Sequence, residues 1–432
     1  MYNGQLRNDI IVRKGDNINK NSYHFQSNST VDCLPIDAYP FGPLDILLDL
    51  CYTIDKQSKG GRQMSALQKK TEYILMNKDC RVLSFLCIRN EYDEPTFQEL
   101  QWFVEYRPIG YKSLTGFLER RKAPKHREHI QRLLERFGCD DLEGFLNVTH
   151  AVSLNDTFWV KRADRDVCWE QVSLYRNEFD QLISEAAFDG SAGSSELSTT
   201  SPEFGTDGNY AKCWIREDDG IYLYKTGSSR YEVEPLSEFL AAQLAAHICP
   251  NYVDYDLDFY RGKLISKCKL FTTEDLGLAK AAGIFTEDRT IPAMLRYFEE
   301  LGSGDAFRRM CILDALTYNP DRHYGNFGVL FNTDTMEPIS MCPVFDNNRS
   351  LFPDLDQGQL ENSDWYLQKC KPMIGKDFLL TARGLLTPEI RSDLKNLQGF
   401  QFNQHTRIEA PQERLEALSA IVNAQINAIL QA

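Results

Sequence analysis

Apolar and polar positions change period several times along this chain. In RVLSFLCI (81–88) apolar side chains alternate as on a half-buried strand. In TFQELQWFVEY (96–106) they return every three to four residues, which predicts a helix. SLTGFLERRKAPKHREHIQRLLERFG (113–138) predicts two helical pieces, parted by Pro124 and closed by Gly138. Before these, FGPLDILLDLCYTI (41–54) predicts a helix with a proline near its start, behind a polar stretch rich in Asn and Ser. SLNDTFWV (153–160) reads as a strand entering a new unit, and WEQVSLYRNEFDQLISEAA (169–187) as one helix.

The pattern then breaks. DGSAGSSELSTTSPEFGTDG (189–208) is dominated by small and hydroxylated residues and predicts a loop or linker. YAKCWIR (210–216) and GIYLYKTG (220–227), joined by EDDG, predict an antiparallel hairpin. VEPLSEFLAAQLAAHIC (233–249) predicts a helix with Pro235 in its first turn, and YVDYDLDFYRGKLISKCKLF (252–271) two strands around an Arg-Gly turn. From about residue 275 helical periods dominate, in IPAMLRYFEEL, DAFRRMCILDALTYN and PQERLEALSAIVNAQINAILQ. Strands first and helices afterwards predict an α+β fold with a small sheet-rich lobe beside a larger helical lobe. The expected division is an accessory mixed α/β module over 1–150, a sheet-rich lobe over 151–272 that carries the 189–208 loop, and a helical lobe over 273–432.

Composition narrows the function classes. A chain of 432 residues with 42% hydrophobic and 12% aromatic residues can fill two or three cores. Sixty-two acidic against 48 basic residues give a net charge of −14, which argues against direct nucleic-acid binding as its main task. The one basic cluster, 120–136, carries Leu133, Leu134 and Phe137 at helical spacing and reads as a solvated helix face. Twelve cysteines stand singly, without a Cys-x-x-Cys pair, as buried thiols do in a reducing compartment. The first residues show no apolar signal core and no long apolar run follows, so no membrane span and a cytoplasmic location are expected.

Two stretches are not explained by core building. NPDRHYGNFGVL (319–330) sets Asp321 five residues before Asn326, and PVFDNNRSL (343–351) puts Asp346 after what reads as a short apolar strand. Phosphoryl transfer needs such groups. One carboxylate orients the attacking hydroxyl, an amide oxygen and a second carboxylate hold a divalent cation, and a strand lysine held by a helix glutamate meets the phosphates. Lys225 ends the strand IYLYK, and Glu238 lies on the helix downstream, with Glu234 as a competitor for the same lysine. Each residue alone has a plain reading as a turn former, cap or surface lysine; the five in order on the right element types do not. His323 reads as a brace for its loop rather than a ligand, since no second His stands at ligand spacing, and Arg322 is left open between a carboxylate partner and a substrate contact. No G-x-G-x-x-G or Walker A run is present; SPEFGTDGNYAKCW (201–214), with Gly205 and Gly208, stands either as a linker or in the place of a phosphate loop.

With these motifs and YKTGSSRYEVEPLSEFLAAQLA, the chain resembles HipA-type serine/threonine kinases over roughly residues 150 to 400. The resemblance implies a two-lobed protein-kinase-like fold with ATP and Mg²⁺ in the cleft and a protein substrate. It implies Asp321 as the catalytic carboxylate, Asn326 and Asp346 as magnesium ligands, Lys225 as the ATP lysine and Lys212 near the phosphates. LISKCKLF (264–271), with Ser266 and Cys268, becomes the inter-lobe hinge beside adenine. It also implies a small antitoxin-like partner, and self-phosphorylation of a loop serine, for which Ser191, Ser194, Ser195, Ser198 and Ser201 are available. Asn-Pro-Asp at 319–321 and Asp-Asn-Asn at 346–348 depart from the eukaryotic His-Arg-Asp and Asp-Phe-Gly, and an Asp-Arg-His run also occurs in lipid-kinase-like families. A lipid or small-molecule kinase, and a nucleotide-binding interaction module without transfer, therefore stay open.

Overall fold

The computed structural model describes residues 11–12, 69–124, 129–191, 201–228 and 233–431. The helix expected over 41–54 and the serines 194, 195 and 198 lie outside them.

The first sheet has four antiparallel strands in the order Pro95–Trp102, Cys80–Arg89, Lys70–Asn77, Phe158–Arg162. Pro95–Trp102 corrects the helix expected over 96–106. Its turn decides the matter: the Asn90 side chain accepts from the backbone N–H groups of Tyr92 and Glu94, which folds the chain straight back along Cys80–Arg89. Phe97 then packs edge-on against Phe85 at 6.0 Å, while Leu100, counted as part of a helical stripe, is exposed. Ladder pairing with the preceding strand overrides the helical period. Helices Leu114–Glu119 and Ile130–Arg136 follow, and Gly138 sits at φ +70° beyond the second, as a helix stop requires.

The single helix expected over 169–187 is two, Trp169–Val172 and Gln181–Asp189. Glu274, far along the chain, accepts from Trp169 Nε1 and Ser173 Oγ, and Tyr175 donates to the Leu154 carbonyl. These contacts hold the intervening segment off the helical path until Asp180 caps the second helix through the N–H groups of Leu182 and Ile183.

The second sheet is also antiparallel, in the order Lys212–Glu217, Gly220–Thr226, Lys263–Lys269, Asp256–Tyr260, with Lys212 opposite Lys225 and Lys225 opposite Ser266. The helix Glu234–Ile248 is apolar nearly all round because it serves two partners. Its Leu240, Leu244 and Ile248 share one core with Leu257 and Leu264 of the sheet and with Phe307, Leu313 and Val422 of the helical lobe. That lobe contains Ile291–Glu300, Gly304–Thr317 and the long Gln412–Leu430. Within it the structure adds a three-stranded antiparallel sheet, Leu276–Lys280, Gly328–Asn332 and Pro338–Met341. Ala279, Phe331 and Met336 of this stretch join the core of the first sheet, beside Phe117 and Phe158. The expected α+β plan, a small sheet-rich lobe beside a larger helical one, is the plan observed. Among the described residues no helix is long and apolar enough to cross a membrane.

Candidate active site

Between the second sheet and the helical lobe lies a cleft that opens to solvent. Leu223, Val253, Phe271, Leu278 and Phe345 give it apolar walls, and polar groups gather at one end. Of the residues singled out by sequence, Gly205, Gly208, Lys212, Lys225, Cys268, His323, Asn326 and Asp346 line it directly.

Lys225, buried at the end of its strand, is the centre of the polar end. Its Nζ lies 2.7 Å from Glu238 Oε1 and 2.7 Å from Asp346 Oδ1. Glu238 is therefore the glutamate that meets the lysine; Glu234 accepts instead from the Ser228 N–H. Ser266 donates to the other oxygen of Glu238 from behind, on the strand paired with Lys225. Burial alone pulls the Lys225 ammonium down, but the Asp346 and Glu238 carboxylates more than reverse this and hold it charged. Burial pushes the Asp346 carboxyl up, and the cations Lys225, Lys212 and Arg322 bring it well below the usual carboxylate range. Burial pushes Glu238 up, against the pull of Lys225.

Asp346 follows a single bridge from Val344 to Tyr252 rather than the short strand expected. Its backbone is left-handed, φ +58°, and its N–H donates to Tyr255 Oη at 3.1 Å, so a strained conformation is held by an outside partner. With Oδ1 on Lys225, its Oδ2 has no donor among the described residues. Asn326 is similar: its Nδ2 donates to the Asp321 carbonyl at 3.2 Å, which leaves its Oδ1 without a protein donor among the described residues. Two oxygens on one cleft suit Mg²⁺, which takes one or two protein ligands and completes its shell with water and phosphate oxygens.

Asp321 stands half-buried at the start of the same loop, where burial pushes its carboxyl up, His323 pulls it down and Asp346 raises it again. The preceding helix ends at Thr317, with Tyr318 left-handed at φ +50°, two residues before Pro320. His323 braces the loop, as its sequence context suggested, by accepting the Gly325 N–H on Nδ1 at 3.0 Å. Arg322 answers the question left open. Fully buried, it binds both oxygens of Asp314 and the Asn347 side chain, and donates to the carbonyls of Asn326 and Phe345. One guanidinium thus ties the loop of Asp321 and Asn326 to the loop of Asp346.

In the 201–214 segment, Pro202–Gly205 is a 3₁₀ turn, and Lys212 Nζ donates to the Asp207 carbonyl at 2.8 Å. Gly208 sits at φ +96°, a left-handed backbone that favours glycine, and a Cβ there would displace the end of the Lys212 side chain, 2.2 Å away. Sequence reasoning missed Lys280, which ends the strand Leu276–Lys280 and pairs across the cleft with Asp207. The signal was present, since LGLAK ends on a lysine as IYLYK does. It also misread Arg121, which is buried and binds Asp156 through two bonds of 2.8 Å, while Arg120 beside it is exposed.

No family model and no curated protein matches the chain. Among solved structures it is similar to the Helicobacter pylori proinflammatory kinase CtkA, at 17% identity over 51% of this chain and 93% of that one, with a TM-score of 0.38. It is also similar to a chain of the Shewanella oneidensis MR-1 HipA–HipB toxin–antitoxin complex with operator DNA, at 9% identity over 83% of this chain and 99% of that one, with a TM-score of 0.46.

Proposed function

We propose that this chain is an ATP- and Mg²⁺-dependent phosphotransferase of HipA type that transfers the γ-phosphoryl group to a serine or threonine of a protein. The observation that carries the reading is Lys225 held at 2.7 Å by both Glu238 and Asp346 on the wall of the cleft that Asn326 also lines. Lys225 and Lys212 meet phosphate oxygens, and the amides around Gly208 cover them. Asn326 and Asp346 hold Mg²⁺, which when bound neutralises charge on the phosphates. The half-buried Asp321, its carboxyl raised by burial, orients the acceptor hydroxyl and takes its proton. A cytoplasmic setting and a small antitoxin-like partner go with this reading.

The test is transfer from radiolabelled ATP to protein in a cell lysate, compared with lipid. Asp321→Ala is expected to keep nucleotide affinity and to lose about 10²–10⁴-fold in transfer, the range for a positioned acid or base. Asp346→Ala is expected to lose Mg²⁺-dependent nucleotide binding as well. Undiminished turnover in the Asp321 variant, or labelling of lipid alone, overturns the reading.

A further inference from the structure

A second cavity, with about 810 Å³ of empty space, adjoins the cleft where the first sheet's module meets the helical lobe. The two share Asp207, Lys280 and Gly325, and Gly325 lies on the loop between Asp321 and Asn326. Its charge is the reverse of the chain's. Among the described residues, Arg120, Arg121, Lys122 and Lys280 line it against Asp156 and Asp207, in a protein of net charge −14. Arg121 is spoken for by Asp156 and Lys280 by Asp207. Arg120 is not: it stands at the rim, donates to the Gly110 carbonyl at 3.3 Å, and has no carboxylate partner among the described residues. The wall behind it is closed by a tight backbone approach. A Cβ on Gly110, which sits at φ +74°, would come within 2.8 Å of the Gly283 carbonyl carbon.

We propose that this side cavity binds an acidic side chain of the protein acceptor, a few residues from the hydroxyl presented to Asp321, with Arg120 as its charged contact. The inference rests on the phosphotransferase reading for its place in the reaction, but the binding is a separate event. A guanidinium with no carboxylate partner among the described residues, on a cavity whose charged lining is mostly basic, suits a carboxylate. A nucleic-acid backbone needs a continuous basic track, which a net charge of −14 opposes.

The experiment uses the full chain and fluorescein-labelled serine peptides whose flanking positions are all Glu, all Gln or all Lys, with binding read by fluorescence anisotropy. The Glu peptide is expected to bind about tenfold more tightly than the Gln peptide, as one charge-assisted hydrogen bond allows. Arg120→Glu is expected to reverse the order in favour of the Lys peptide, and Arg120→Gln to abolish it, both with an unchanged unfolding midpoint. Equal binding of the three peptides, or a Glu preference that survives Arg120→Glu, overturns the inference. Glu preference without phosphoryl transfer overturns only the phosphotransferase reading, and transfer without preference only the side cavity.

Discussion

Lys225→Met is expected to destabilise the protein by about 3–5 kcal/mol near neutral pH, and by much less near pH 4. Methionine fills most of the volume but leaves Glu238 and Asp346, both within 2.7 Å of the lost ammonium, buried without a counter-charge. The sign follows from the native protein. Asp346 is held below its ordinary value of 3.8, so its contribution is present above that pH and is lost as pH falls through the lower folded value. Lys225 is raised above 10.5, so its share is complete below that pH and is lost only as pH rises through the folded value. Without the lysine both carboxyls rise, and a carboxyl raised by folding costs more stability the further pH climbs above its unfolded value. The gap between native protein and variant therefore widens from about pH 4 to 7 and then stays flat. Urea unfolding of both proteins across that range is the measurement, and a gap independent of pH would sink the ion-pair account. Phosphoryl transfer should fall about 10²–10³-fold, the usual loss on removing one preorganised electrostatic contact.

Why this centre was readable, and its surroundings less so, has a physical explanation. Lys225, Glu238, Asn326 and Asp346 each sit beside a strong local signal: a hairpin, a proline-started helix, or a loop whose polar residues serve no core. Elements whose fate rests on tertiary or ladder partners rather than on their own period were misread. Pro95–Trp102 becomes a strand because the Asn90 turn returns it to Cys80–Arg89, and 173–180 leaves the helix because Glu274 and Leu154 hold it. Periodicity carries no record of a residue a hundred positions away. The same limit hid Lys280, whose partner Asp207 comes from a loop of plain composition, and Arg121, whose partner Asp156 sits inside an apparent strand. Charge runs look solvated until the opposite charge is brought to them.

Arg322 makes the sharpest case for separating position from stability. Removing it leaves Asp314, whose carboxyl burial already pushes up, with the Asn319 amide at 3.1 Å as its one side-chain donor among the described residues, so Arg322→Met is expected to cost about 3–5 kcal/mol. Adding Asp314→Leu removes the uncompensated charge, and the double variant should recover most of that loss, since buried ion pairs are often replaceable by apolar residues of similar volume. Phosphoryl transfer should not recover. The guanidinium is what joins the carbonyls of Asn326 and Phe345 and the Asn347 side chain, and a methionine makes none of those bonds. The double variant should therefore fold nearly as stably as the native protein yet need a higher Mg²⁺ concentration to reach half-maximal transfer, with a lowered kcat. Arg322→Lys should fall between, because an ammonium cannot span four acceptors in one plane. If the double variant regains transfer together with stability, Arg322 only balances a buried charge, and the registry of the two loops must come from elsewhere.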